Sequence, residues 1–148
     1  MTQTTSTPPG ASAADLPALR LALAQVFAPW VGQLELQVLH AQAGQVTLHL
    51  PVTPPHVHVG GVLCGQTMMA ACDTAMVLAV MTHTGAFKPM TTVQLQTSFL
   101  RPVAGDSGQA QVVARVLRLG RNLVFGEVEV LDAKGRLAAH ATCTCALL

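Results

Sequence analysis

The chain has 148 residues, with 8 Lys+Arg against 7 Asp+Glu, a net charge of +1, and only 10% charged residues against 51% apolar ones. One domain of this length hides about 70% of the surface its unfolded chain would expose, so it needs no disulfide or structural metal to hold a core. Charged side chains make up roughly 25% of an ordinary soluble domain, so this surface lacks the groups that keep copies apart, and self-association is expected.

The same composition argues against several partners. Scattered Lys and Arg, four Phe and one Trp build neither a phosphate-tracking stripe nor a base-stacking platform, so no nucleic acid is expected. The most apolar run, Met68 to Met81, contains Asp73 and falls short of the roughly 20 apolar residues of a spanning helix, so no membrane span is expected. Residues 1–14 are Thr/Ser/Pro/Gly-rich and lack the basic start and apolar run of a secretory signal. They read as a disordered tail on a cytoplasmic protein, with a single domain over 15–148. Cys64, Cys72, Cys143 and Cys145 include no C-x-x-C pair and no zinc-finger spacing with histidine. Cys143 and Cys145, two apart in an alternating segment, share the apolar face of Ala141 and read as buried reduced thiols.

Asp15 caps a short helix with Pro17 in its first turn, and Leu16, Leu19, Leu23, Val26 and Phe27 repeat at helical spacing until Pro29. Leu34, Leu36 and Val38 alternate with polar residues, Ala43-Gly44 turns the chain, and Val46, Leu48 and Leu50 alternate again, which predicts a hairpin. Pro51 to Gly61, with three prolines, two histidines and two glycines, is a shaped loop. Gly65 to His83 reads as one helix that is apolar on almost every side, and such a helix is expected to be buried all round. Thr91–Leu100, Gln109–Arg118, Leu123–Leu131 and Leu137–Leu147 alternate as half-buried antiparallel strands separated by Gly-containing turns. The order predicts an α+β domain: a six-stranded antiparallel sheet wrapped around one central apolar helix, with a short N-terminal helix.

Asp73 is the one charged side chain in the central helix, and a carboxylate left unpaired in a dry core costs several kcal/mol. Its helical neighbours Gln66, Met69, Ala70, Met76, Val77 and Val80 supply no cation. Two readings stand: a structural salt bridge to an arginine brought in by the sheet, or a functional carboxylate facing a cavity, trapped water or a second chain. The helix opens at Gly65, where orphan N–H groups and the positive end of the dipole suit an anion or a developing oxyanion. Gly65 and Asp73 lie about 12 Å apart along the helix, so one small group does not touch both within a chain, whereas a dimer brings Asp73 of one subunit to Gly65 of the other.

The segment Gly60-Gly61-Val62-Leu63-Cys64-Gly65-Gln66-Thr67-Met68-Met69-Ala70-Ala71-Cys72-Asp73-Thr74-Ala75-Met76 resembles the central-helix motif of the hotdog-fold acyl-CoA thioesterases, the PaaI-like group. Thr91 to Pro102 resembles that family's next strand, and Arg118-Leu119-Gly120-Arg121 its following turn, so the resemblance spans residues 15–148. It implies a hotdog-fold dimer or tetramer with sites at the subunit interface, hydrolysing acyl-CoA thioesters without a cofactor beyond the coenzyme A of the substrate. By the same resemblance Asp73 matches the catalytic carboxylate, acting as base or nucleophile. Gly65 matches the glycine whose N–H polarises the thioester carbonyl, and His58 takes the position of a Gln or Asn. Cys64 stands where the family commonly has His.

Gln66, Cys64, Met69, Val77 and Thr92 are expected to line the substrate site, and Arg101, Arg118 and Arg121, at strand ends and turns, to reach the phosphates of coenzyme A. A Cys64 nucleophile finds no supporting His and Asp arrangement in the sequence. A metal held by His56, His58 and Cys64 lacks a spaced fourth ligand. Two alternatives share the fold: a hydroxyacyl thioester dehydratase or hydratase, which Gln66 argues against because an acid is expected there, and a non-catalytic acyl-CoA binder.

Overall fold

The computed structural model describes residues 15–148; the tail expected over 1–14 lies outside them. Asp15 accepts a hydrogen bond from the Ala18 N–H at 3.3 Å and starts helix α1, Leu16–Gln25, which buries Leu19 and Ala22. The chain then departs from the expected strand at Leu34 and Leu36. Pro29 opens a 3-10 helix over Pro29–Leu34, and Glu35 turns the backbone at a left-handed φ of 53°. Leu34 and Leu36 are both buried, so the apolar pattern is satisfied by a turn as well as by a strand. Proline's fixed φ at the first turn decides between them.

Strand β1, Gln37–Gln42, and β2, Gln45–Pro51, form the expected hairpin, with Gly44 supplying a φ of 77° in the turn. A second 3-10 turn, Pro54–His56, interrupts the loop before helix α2, Gly65–Thr84, which ends at Gly85 with φ 74°. Strands β3, Met90–Phe99; β4, Gln109–Leu119; β5, Leu123–Leu131; and β6, Leu137–Leu147, complete one antiparallel sheet in the order β1-β2-β4-β5-β6-β3. This is the hotdog arrangement. β1 and β3 are its two edges.

Helix α2 lies on the inner face of this sheet. Ala71, Ala75 and Ala79, each fully buried, recur at intervals of four and let the helix approach the strands. Met76 comes so close to β5 that a Cβ on Gly126 would land on its Cε and Sδ, which is why that strand carries a glycine. Leu48, Leu50, Val112, Val128 and Leu78 fill the remaining space with no exposure, each contributing about 1.5–3 kcal/mol.

The expectation that α2 is buried on every side is corrected. Gln66 is exposed, and Met69, Ala70, Asp73 and Val77 are only half-buried. At spacings of three and four these form one continuous stripe left open by the sheet. The sheet curls around most of the helix circumference, and closing the rest would need a further strand that the described residues do not supply.

Candidate active site

Asp73 sits in the open stripe of α2, and the Thr92 hydroxyl donates to its Oδ1 at 2.6 Å. Thr92 reaches it because β3 places Thr92 on the inner face, opposite Cys145. Among the described residues the ion pairs are Arg115–Glu129, Arg136–Asp132 and the pairing of His140 with Glu127. Asp73 joins none of them, so the structural salt bridge is not formed within the chain. Below Asp73 lie three buried thiols. Burial first and the Asp73 charge second push the Cys72 thiol up to about 12. Cys143 and Cys145 stand 3.6 Å apart. The Cys143 thiol is pushed up, first by its hydrogen bond to Cys145 and then by burial, and the Cys145 thiol is held down by the hydrogen bond from Cys143.

The N-terminus of α2 opens into a groove of about 380 Å³ lined by His58, Leu63, Gly65, Met68, Phe99 and Arg101, among others. The Gly60 N–H donates to His58 Nδ1 at 2.9 Å. That places the proton of the neutral ring on Nε2, which is left as a donor in the groove that Gly65 also lines. A side chain at Gly65 would stand 3.1 Å from Cζ of Phe99, so glycine is what lets the aromatic ring lie over the helix end. Cys64, the N-cap residue, caps nothing with its side chain. Its Sγ is 2.9 Å from Thr67 Oγ1, which is 3.2 Å from His56 Nδ1, and His56 Nε2 is 2.9 Å from the Gln33 carbonyl.

The structure therefore gathers His58, Gly65 and Arg101 at one end of α2, and Asp73, Thr92, Met69 and Val77 around its middle. Gln66 stands between them on the same stripe. Cys64 is turned away from the groove toward Thr67. Arg118 and Arg121 lie at the far end. There β4 meets Gly44 through a hydrogen bond from the Val116 N–H, and Gly44 in turn meets Thr82 near the C-terminus of α2. Within one chain these two arginines do not share the groove with Gly65. The sequence reading missed Phe99 and the His56–Thr67 pair. The inward parity of β3, which puts Thr92, Leu95 and Phe99 on one face across a bulge, is the pattern that singles out Phe99. A larger cavity, about 550 Å³ between α1, the first 3-10 turn and β1, contains none of these residues.

The sequence profile of the thioesterase superfamily matches residues 60–139. An inferred esterase of Saccharolobus solfataricus is 32% identical over 108 residues, covering 73% of this chain and 75% of that protein. Another, from Thermoplasma acidophilum, is 28% identical over 123 residues, 80% of this chain and 89% of that protein. The crystal structure of zebrafish thioesterase superfamily member 2 superposes with a TM-score of 0.80 at 25% identity, over 90% of this chain and 98% of that one.

Proposed function

Because this chain belongs to the thioesterase superfamily, we propose that it hydrolyses acyl-CoA thioesters, with Asp73 as the reacting carboxylate and Gly65 and His58 as the carbonyl-binding donors. The observation that carries the reading is Asp73 itself. An aspartate that is half-buried, has no cation partner among the described residues and is held by one hydroxyl at 2.6 Å is costly to stability and is retained where its charge is used. Its Oδ1 is occupied by Thr92, and Oδ2 is left to act.

A thioester carbonyl placed in the groove accepts hydrogen bonds from the Gly65 N–H and from Nε2–H of His58. One such donor lowers an acyl-transfer barrier by about 3–4 kcal/mol as charge develops on oxygen. Asp73 then either takes a proton from water as that water attacks the carbonyl carbon, or attacks it directly to give an anhydride that water opens. In both routes the C–S bond breaks, the thiolate of coenzyme A leaves and is protonated, and the free acid remains. The exposed Arg101 at the groove is the cation placed to meet the phosphates of coenzyme A.

The two halves of the site sit about 12 Å apart along α2, so the reading includes a second copy. Two features support it. β3 presents a ten-residue edge with one side unpaired among the described residues, with Val93 and Phe99 on it and Leu100 just after it exposed, and the adjoining stripe of α2 is open. Pairing two copies along this edge covers both and brings Asp73 of one toward Gly65 of the other. A tetramer of two such dimers is compatible with this geometry.

The test is free-thiol release from short, medium, long and aryl acyl-CoAs, comparing the parent with Asp73→Ala. Turnover by the parent and a loss of about 10²-fold or more in the variant is the expected result. Equal turnover by both removes Asp73 from the mechanism, and hydration of an enoyl-CoA without thiol release assigns the chain to the dehydratases.

A further inference from the structure

We propose that position 64 is an N-cap built not to cap: the Thr67–His56 pair holds the Cys64 thiol off the first amides of α2 and keeps that helix end open for substrate. The proposal rests on the thioesterase reading for its purpose and on the geometry below for its substance.

An ordinary N-cap residue folds a side-chain oxygen back onto the N–H of the second or third helical residue, here Gln66 and Thr67. Cys64 has the extended backbone of such a residue, φ −70° and ψ 147°, yet its side chain makes no cap bond. The side chain is held elsewhere by a chain of hydrogen bonds whose direction is fixed at its far end. The Gln33 carbonyl can only accept, so His56 Nε2 carries the proton and donates at 2.9 Å. The neutral ring then offers Nδ1 as an acceptor, the Thr67 hydroxyl donates to it at 3.2 Å, and the Cys64 thiol donates to Thr67 Oγ1 at 2.9 Å.

His56 grips the same turn a second time through its backbone, because its carbonyl accepts the Cys64 N–H at 2.8 Å. Thr67 is buried, so its hydroxyl is shielded from water that would compete for these bonds. The result is a helix start in which the N–H groups of Gly65, Gln66 and Thr67 have no acceptor among the described residues. Even the first helical bond, Met68 N–H to the Cys64 carbonyl, is long at 3.4 Å. A thiol suits this position because sulfur is a weaker acceptor than the oxygen of an ordinary cap, so its bond to Thr67 is enough to keep it off those amides. His56 and Thr67 are positioning residues in this account, acting through Cys64 on the donors rather than touching substrate.

The experiment replaces the thiol with groups that cap. Cys64→Asn and Cys64→Asp each carry an oxygen of the right reach, the second with a charge that also opposes a developing oxyanion. Amide hydrogen exchange resolved at Gln66 and Thr67, thermal melting and thioester hydrolysis are followed for both, with Thr67→Val and Thr67→Ser in parallel. The expected result is slower exchange at these amides and a melting temperature about 2–4 °C higher in both capped variants. Alongside it, kcat falls about 10-fold in Cys64→Asn and further in Cys64→Asp, with KM little changed. Thr67→Val lowers kcat in the same way, and Thr67→Ser restores it.

Unchanged exchange and melting in both capped variants overturns the proposal, because the amides are then not open to a cap. Slower exchange with undiminished kcat also overturns it, because substrate then does not use the open end. If the parent hydrolyses no acyl-CoA, the thioesterase reading fails by itself. The exchange and melting arms still decide whether the helix end is held open.

Discussion

Replacing Asp73 by asparagine separates what the carboxylate does for chemistry from what it does for the fold. The amide has the same shape, and its Oδ1 still accepts from the Thr92 hydroxyl that now lies at 2.6 Å, so only the charge is removed. A reacting carboxylate contributes about 10²–10⁴-fold to rate. The smaller figure already raises the barrier by about 2.7 kcal/mol at 1.36 kcal/mol per decade. The fold gains instead of losing, because a half-buried charge without a cation is exchanged for a neutral group that is cheaper to desolvate. Each kcal/mol so gained raises the melting temperature by about 3 °C in a domain of this size. Steady-state thiol release and a thermal melt on the same preparation read both effects. A variant that keeps kcat within threefold of the parent, or one that melts more than about 5 °C lower, refutes the reasoning and makes Asp73 a structural residue.

Other outcomes follow from single contacts. Thr92→Val removes the only hydrogen bond to the Asp73 carboxylate among the described residues and is expected to lower kcat/KM about 10-fold, the effect of a hydrogen bond to a charged group, with Thr92→Ser recovering most of it; equal rates for valine and serine would show that the hydroxyl is idle. Gly126→Ala drives a methyl into Met76 and to 2.8 Å from the Arg115 carbonyl, so chemical denaturation is expected to show a loss of about 1–3 kcal/mol. Asp132 is held below the usual carboxylate range, first by the Arg136 backbone N–H and further by the Arg136 side chain and the Lys134 N–H. Because its folded value is depressed, its stabilising effect is complete above the unfolded value of about 3.9 and disappears as pH falls through the lower folded value. The melting temperatures of the parent and Asp132→Asn are therefore expected to differ at neutral pH and to converge toward pH 2.

The sequence by itself determined the elements and much of the chemistry. Period-two alternation placed β5 and β6 to the residue, because a strand with one buried face must alternate. The apolar run that opens at Gly65 defined α2 to within one residue of its end. Asp73 stood out because a lone charge in such a helix demands a reason. The turn over Pro29–Leu34 escaped, since apolar residues at intervals of two are buried equally well by a strand or by a 3-10 turn followed by a left-handed residue.

Only the tertiary structure decided which side of α2 stays open. A helix that is apolar all round carries no mark of the direction from which its sheet arrives, and the stripe through Gln66, Met69, Asp73 and Val77 is fixed by where the strands stop curling. The same holds for Thr92, Phe99 and the His56–Thr67–Cys64 chain. Their partners come from 11 to 34 positions away for those residues where the hydrogen bonds or packing are long-range. Contacts across such separations depend on strand register and loop path, which local periodicity does not encode.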